Sequence, residues 1–350
     1  MKVYFLDLVT WQESQVLYHA AAYLGREALF ILRPNTPYVC IGMHQDAEQE
    51  IDIAFAEAEG IPVFRREVGG GAVYLDGEQL FYQLILDSKR PEITSDKLAF
   101  YRKYLDPVVQ VYKQFGIEAM FKPVNDIIVQ NRKISGNGAA EIGDMTVLVG
   151  NFIMDFNYKM MSKVLRVPDE KFRDKVYKTL SDNLSTMLRE TGRKPDTKAL
   201  ADALVKAYQP LLGEMTPAKL DDELITKADQ LFEEMNTPDW LYGNDRRRPD
   251  TRQVKIREDV YVIQKMMKFP GGLVRVDAIA EAGKLQEVHI SGDFFIYPSN
   301  ALEELEKALE GSSADPKDIK AFIQDFYNGR KIHSPGIQPE QLAEMLTASI

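Results

Sequence analysis

Arg65-Arg66-Glu67-Val68-Gly69-Gly70-Gly71-Ala72-Val73-Tyr74-Leu75-Asp76 sets three consecutive glycines between an arginine pair and a short apolar run. Glycine weakens helix and strand interiors by roughly 0.5–1 kcal/mol each, so the run belongs to neither. Something there requires bare backbone. A loop without Cβ atoms lets several N–H groups approach an anion closely, and a guanidinium beside it can grip a carboxylate or phosphate in a two-pronged fork. The segment predicts a phosphate-cradling loop, with a glycine-rich hairpin turn as the alternative.

The rest of the composition narrows what such a loop serves. With 350 residues, 45% of them hydrophobic and 27% charged, the chain can bury one large core and a smaller one. A net charge of -10 argues against a protein that grips nucleic acid through its phosphates. The single cysteine, Cys40, excludes a disulfide framework and fits a reducing compartment. Histidines 19, 44, 289 and 333 have no close metal-binding spacing. The chain carries no secretory signal pattern and no long apolar stretch, so it is expected in the cytoplasm and away from membranes.

Apolar periodicity predicts strands at 3–8, 28–32, 38–41, 62–64 and 79–86, with helices at 12–24 and 50–59. A long helix is expected at 95–115, then strands at 117–121, 126–129 and 146–154, and mostly helices from 158 to 235. Sheet-rich sequence followed by helices implies an α+β architecture, mixed or antiparallel sheets flanked by helices, rather than a doubly wound sheet. Residues 244–250, charged and proline-bearing, read as a linker between a domain at 1–243 and a smaller α+β domain at 251–350. In the latter, Gly283-Lys284 predicts a hairpin joining 274–280 to 285–290, followed by helices near 300–309, 317–327 and 339–346.

A second informative stretch is Asn125-Asp126-Ile127-Ile128-Val129-Gln130-Asn131-Arg132-Lys133-Ile134-Ser135-Gly136-Asn137-Gly138. A strand with a polar pair at its start turns and delivers a lysine ahead of small residues. Lysine is a compact cation suited to bridging a carboxylate and a phosphate oxygen, where charge develops when an acyl phosphate forms. Asp126 could hold magnesium or a ribose hydroxyl. The alternatives are a surface-loop lysine and a turn aspartate. Gly136–Glu141 fails as a dinucleotide fingerprint because its sixth position is glutamate, and neither glycine segment ends as a Walker A loop does. A nucleotide would be bound by a different kind of loop.

Taken together, these segments resemble the lipoate–protein ligase family of the biotin/lipoate ligase superfamily. Its pattern of two arginines, two variable residues, three glycines and Ala-Val-aromatic-x-Asp is met by Arg65, Arg66, Gly69–Gly71, Ala72, Val73, Tyr74 and Asp76. Its Asn-Asp followed by Lys-Ile-Ser-Gly is met by Asn125, Asp126 and Lys133–Gly136, and its Ile-Gly with a nearby Gln by Ile41, Gly42 and Gln45. Ser291-Gly292-Asp293-Phe294-Phe295 looks like the end of the family's C-terminal accessory domain. The chain departs from the family at Leu75 and Val149, where many members have histidine, and at Met43 and Asp46 around Gln45.

The resemblance implies that lipoate or octanoate attacks the α-phosphate of ATP, and that a lysine of an acceptor protein then takes the acyl group. The acceptor would be a lipoyl domain or a protein like the glycine-cleavage H protein. Lys133 would be catalytic. The adenylate and acyl chain would be lined by Arg66, Val68, Gly69, Gly70, Gly71, Ala72, Val73, Tyr74, Asn125, Asp126, Ile134, Ser135, Gly136, Gly138 and Gly150, with magnesium at Asp126. Three other readings stand beside this one: an acyltransferase using Cys40 as a thiolate nucleophile, a biotin ligase, and a binding protein that holds lipoyl-adenylate without transferring it.

Overall fold

The computed structural model describes residues 1–94, 96–249 and 260–347. Its contacts divide the chain into two compact units. One comprises Met1–Cys40, Ile51–Phe64 and Val73–Thr237; the other comprises Ile41–Glu50, Arg65–Ala72 and the chain from Pro238 onward. The division falls at Thr237/Pro238 rather than at Gly243/Asn244, and the triple glycine groups with the C-terminal part of the chain.

In chain order the elements up to residue 153 are β1 (Lys2–Val9), α1 (Trp11–Tyr23), β2 (Ala28–Pro34), β3 (Tyr38–Ile41), α2 (Ala47–Glu50), α3 (Ile53–Ala58), β4 (Val63–Arg65), β5 (Val73–Leu75), β6 (Gln79–Asp87), α4 (Lys97–Gln114), β7 (Met120–Lys122), β8 (Asp126–Val129), β9 (Arg132–Ser135), β10 (Asn137–Ile142) and β11 (Met145–Ile153). The first unit continues through α5 (Tyr158–Val164), α6 (Arg173–Asn183), α7 (Met187–Thr191), α8 (Thr197–Leu212), β12 (Thr216–Pro217) and α9 (Asp222–Met235).

The first unit is built on a six-stranded mixed sheet ordered β10-β11-β6-β2-β1-β12, with antiparallel neighbours from β10 to β2 and parallel ones from β2 to β12. Strand β6 is buried along Gln79–Leu86, because both faces of the sheet are covered. On one face Leu80, Tyr82, Leu84, Leu148 and Phe152 pack with Phe100, Tyr104 and Val108 of α4 and with Leu204 and Tyr208 of α8. On the other lies α1, started by a capping box in which the Thr10 hydroxyl accepts from the Glu13 N–H and the Glu13 carboxylate accepts from the Thr10 N–H. Two three-stranded sheets, β4-β3-β5 and β7-β8-β9, complete the strands.

The second unit holds α10 (Pro238–Arg247), β13 (Val260–Phe269), β14 (Gly272–Glu281), β15 (Lys284–Gly292), α11 (Ala301–Leu309), α12 (Pro316–Arg330) and α13 (Pro339–Leu346). The three strands form an antiparallel sheet whose Val274, Val276, Ala278 and Ile290 bury against Leu305, Ile323 and Leu342 of the helices. The expected hairpin turns at Ala282 and Gly283, both with positive φ.

Residues 244–247 do not form a linker. They complete α10, where the Asn244 amide donates to the Met43 carbonyl and the Asp245 carboxylate accepts from the N–H groups of Ala47 and Glu48 at the start of α2. Residues 250–259, which hold the end of the expected linker and the start of the expected second domain, lie outside the described residues. Among the described residues, no helix is long and apolar enough to cross a membrane.

Candidate active site

Two of the three glycines, Gly69 and Gly70, need bare backbone, and their close neighbours in this structure are other stretches of the chain, whereas a Cβ on Gly71 would meet nothing nearer than 3.5 Å. A Cβ on Gly42 would sit 1.9 Å from the Gly70 carbonyl oxygen, and one on Gly69 would sit 2.7 Å from that of Phe294. Gly70 has φ +90 and donates its N–H to the Phe294 carbonyl at 3.2 Å. Arg66 turns back on its own loop: its Nη2 donates to the carbonyls of Gly69 and Gly71 at 2.8 and 2.9 Å. Arg65 is 3% exposed, and its guanidinium donates to the carbonyls of Gly42, Met43, Gln45, Trp240 and Leu241. The arginine pair therefore holds carbonyl oxygens, and the hairpin-turn alternative is excluded because no strand pairing flanks the glycines directly. Val68 is fully buried, and Ala72 leads the chain into β5.

In the first unit, the turn between β8 and β9 uses Gln130 and Asn131, with φ of 48 and 64. The strand that follows carries Lys133, whose Nζ lies 2.8 Å from Asp126 Oδ1, each side chain about one-third exposed. The Lys133 carbonyl accepts from the Ser185 N–H, and its aliphatic arm folds over Gly136, where a Cβ would meet Cε at 3.4 Å. Beneath this pair, Ile134 is buried and its carbonyl accepts from the Tyr112 hydroxyl at 2.7 Å.

A buried polar network joins the remaining residues of this motif. The Tyr82 hydroxyl donates to Asn137 Oδ1 and lies 3.2 Å from Ser135 Oγ, and burial pushes the Tyr82 phenol well up. Asn137 and Asn125 donate their amides to each other's backbone carbonyls. Gly150 is required directly beneath this network, because a Cβ there would sit 2.2 Å from Asn137 Oδ1 and 2.4 Å from Tyr82 Oη. Gly138 pairs with Val149 in the neighbouring row of the β10–β11 ladder.

Val73 and Tyr74 lie in β5 opposite Cys40 and Val39 of β3. Burial, with the Asp76 carboxylate nearby, pushes the Tyr74 phenol up to about 12. Burial likewise raises the Asp76 carboxyl. Cys40 is fully buried, its thiol 3.7 Å from the Gln15 amide oxygen, which is the setting of a small core residue rather than of a nucleophile. Among the described residues no group of three or more His, Cys, Asp or Glu is arranged to hold a metal. Asp126 presents one carboxylate, about one-third exposed and paired with Lys133.

Two features are not legible in the sequence. Gln79 and Asn151 bridge the Lys133 turn to the Tyr74 strand, a pairing across strands that sequence spacing cannot display. In the second unit, Asp46 is fully buried, 2.9 Å from His289 Nε2 and 3.0 Å from Ser291 Oγ, and Glu306 Oε1 lies 3.4 Å from His289 Nδ1. Burial would lower the His289 pKa, but the hydrogen bond with Asp46 and the charges of Asp46 and Glu306 outweigh it and raise the value to about 9. His44, stacked on Phe294, goes the other way: burial, with Arg65 and Arg247 adding to it, lowers its pKa to about 3.

The candidate residues thus fall into two groups. Lys133, Asn125, Asp126, Ile134, Ser135, Gly136, Gly138, Gly150, Val73 and Tyr74 belong to the first unit, and Arg66, Val68, Gly69, Gly70, Gly71 and Ala72 to the second.

Residues 9–209 match the model of the lipoyl protein ligase A/B catalytic domain, and residues 260–346 that of the bacterial lipoate protein ligase C-terminus. Lipoate–protein ligase 1 of Staphylococcus aureus is 25% identical over 305 residues, 86% of this chain and 86% of that protein. Lipoate-protein ligase A subunit 2 of Thermoplasma acidophilum is 38% identical over 82 residues, 23% of this chain and 84% of that one. A solved structure of a bipartite lipoate protein ligase with its E2 lipoyl domain, also from Thermoplasma acidophilum, superposes with a TM-score of 0.62 at 25% identity, over 69% of this chain and 96% of that one. With more than half its length matched by the catalytic-domain model, and the accessory C-terminus following in order, the chain belongs to the lipoyl protein ligase A/B family.

Proposed function

We propose that the chain joins lipoate to a protein lysine in two steps, through lipoyl-adenylate. In the first, a carboxylate oxygen of lipoate bonds to the α-phosphorus of ATP, the bond from that phosphorus to the bridging oxygen breaks, and pyrophosphate leaves. In the second, an acceptor lysine amine bonds to the acyl carbon and AMP departs with the bonding pair. The amine loses a proton and an amide remains.

The observation that carries this reading is the Lys133–Asp126 pair on a hydrogen-bonded frame, with the lysine arm lying over a glycine. Lys133 would meet the carboxylate and phosphate oxygens, where negative charge builds up in both steps, and little covalent chemistry is asked of the protein. Asp126 holds the ammonium in place, while Asn125, Ser135 and Gly138 shape the wall beside it. When ATP binds, Asp126 together with phosphate oxygens would suit magnesium, which binds through one or two carboxylates plus phosphates and neutralises the departing pyrophosphate. Val73 and Tyr74 would serve the acyl chain.

The acceptor would be a lipoyl domain or an H-protein-like carrier, as the lipoyl-domain partner of the bipartite relative supports. A cytoplasmic location would supply the ATP that the reaction consumes. The buried Cys40 speaks against the thioester mechanism. ATP–pyrophosphate exchange, run with lipoate, octanoate or biotin, tests the proposal. Exchange with lipoate or octanoate and none with biotin is expected; no exchange with any acid overturns it.

A further inference from the structure

We infer that Asn151 is a positioning residue for adenylate formation, acting with Gln79 to hold the Lys133–Gly136 segment in register with β5 and the Asp76 that follows it. The inference rests on the two-step reading above.

Four observations carry it. First, the β10–β11 ladder begins at Asn137 opposite Gly150, and one residue further out the Gly136 N–H finds the side chain of Asn151 in place of a backbone carbonyl, at 2.9 Å. Second, Lys133 Nζ and Asn151 Oδ1 lie 3.7 and 3.8 Å from the single point that a Cβ on Gly136 would occupy, so the ammonium and the amide share one small space. Third, Asn151 Nδ2 donates to Gln79 Oε1 at 2.8 Å. Asn151 faces Phe81 and Ile153 faces Gln79, which makes Asn151 and Gln79 a diagonal pair on one face of the sheet. Fourth, Gln79 Nε2 donates to the Tyr74 carbonyl at 3.0 Å and lies 3.4 Å from Asp76 Oδ1.

These contacts fix the direction of the whole relay. Tyr74 offers a carbonyl, so Gln79 must turn its nitrogen there and its oxygen toward Asn151. Asn151 must then answer with nitrogen, which leaves its oxygen for the Gly136 N–H. Reversing either amide sets acceptor against acceptor or donor against donor. The relay therefore has one arrangement, and that arrangement ties the lysine turn to β5. Misplacing a reacting group by about 1 Å can cost roughly 100-fold in rate, so the relay should act on turnover more than on substrate binding.

The test is steady-state ATP–pyrophosphate exchange with lipoate on the full chain, comparing wild type, Asn151→Leu, Asn151→Gln, Gln79→Asn and the exchanged double variant Gln79→Asn/Asn151→Gln. The single variants are expected to lose tenfold or more in kcat, with KM for ATP and lipoate within threefold. The double variant keeps one long and one short amide across the same diagonal and is expected to recover to within threefold of wild type. Should Asn151→Leu not fold, the exchanged pair decides. Unchanged kcat in folded single variants, a loss confined to KM, or a double variant no better than the singles overturns the inference. Exchange by the wild type alongside any of these outcomes leaves the two-step reading standing, whereas a wild type without exchange removes that reading first.

Discussion

Gly150→Ala puts the packing beneath the lysine turn to a direct test. The added methyl would lie 2.2 Å from Asn137 Oδ1 and 2.4 and 2.5 Å from the Oη and Cζ of Tyr82, far inside contact distance. Tyr82 is fully buried and Asn137 is 8% exposed, so neither can swing into solvent. They must part instead, which breaks the hydrogen bond between them and strands two buried polar groups at about 1–3 kcal/mol. Forcing a methylene-sized group into a packed core adds about 1–3 kcal/mol more. The combined loss of about 2–6 kcal/mol, at roughly 2–4 °C per kcal/mol for a domain of this size, lowers the melting temperature by roughly 4–24 °C. Thermal unfolding followed by circular dichroism measures it. Tyr82→Phe removes one of the two clashing oxygens, so adding it to Gly150→Ala should cost less than the two single losses combined. A Gly150→Ala protein that melts within a degree of wild type would refute the reasoning.

The second unit should be most stable near pH 6.5. His289, raised to about 9, contributes stability that is complete below about 6.5 and is lost as pH rises toward 9; His44, lowered to about 3, contributes stability present above 6.5 and lost as pH falls below it. Melting temperature measured from pH 5 to 10 checks this, and Asp46→Asn should flatten the alkaline limb. Arg65→Met leaves five carbonyl oxygens without their buried donor and should destabilise by about 3–5 kcal/mol in denaturant titrations. Cys40→Ser should leave kcat for acyl transfer within twofold of wild type in a gel-shift assay of an acceptor domain; a loss of 100-fold or more would revive the thiolate mechanism.

How much was legible follows from how local each signal was. Strands such as β3 and β8 and the helix α4 were read within a few residues, because their apolar spacing is a property of adjacent positions. Strands β9 and β10 carry no local signal: Arg132–Ser135 and Asn137–Ile142 are polar or glycine-bearing, and pairing with neighbours rather than apolar alternation makes them strands. The demand for bare backbone at Gly69 and Gly70 is legible, but their neighbour Phe294 lies more than two hundred positions away, and no local signal could name it. For the same reason Asp46 stood out in the sequence only as a departure from a family pattern, and its role as the buried partner of His289 required the fold. The charged, proline-bearing run at 244–250 has the pattern of a linker because no apolar period runs through it. Here Asn244 and Asp245 are consumed by the backbone around α2.

The central claim is that Lys133 stabilises the charge that develops as lipoate becomes an adenylate. ATP–pyrophosphate exchange with lipoate, compared between wild type and Lys133→Met, tests it most directly. The account predicts lipoate-dependent exchange in the wild type and a loss of at least roughly 100-fold in the variant, the scale of removing one preorganised charge from such a site, with melting temperature nearly unchanged. Exchange by Lys133→Met at the wild-type rate would contradict it.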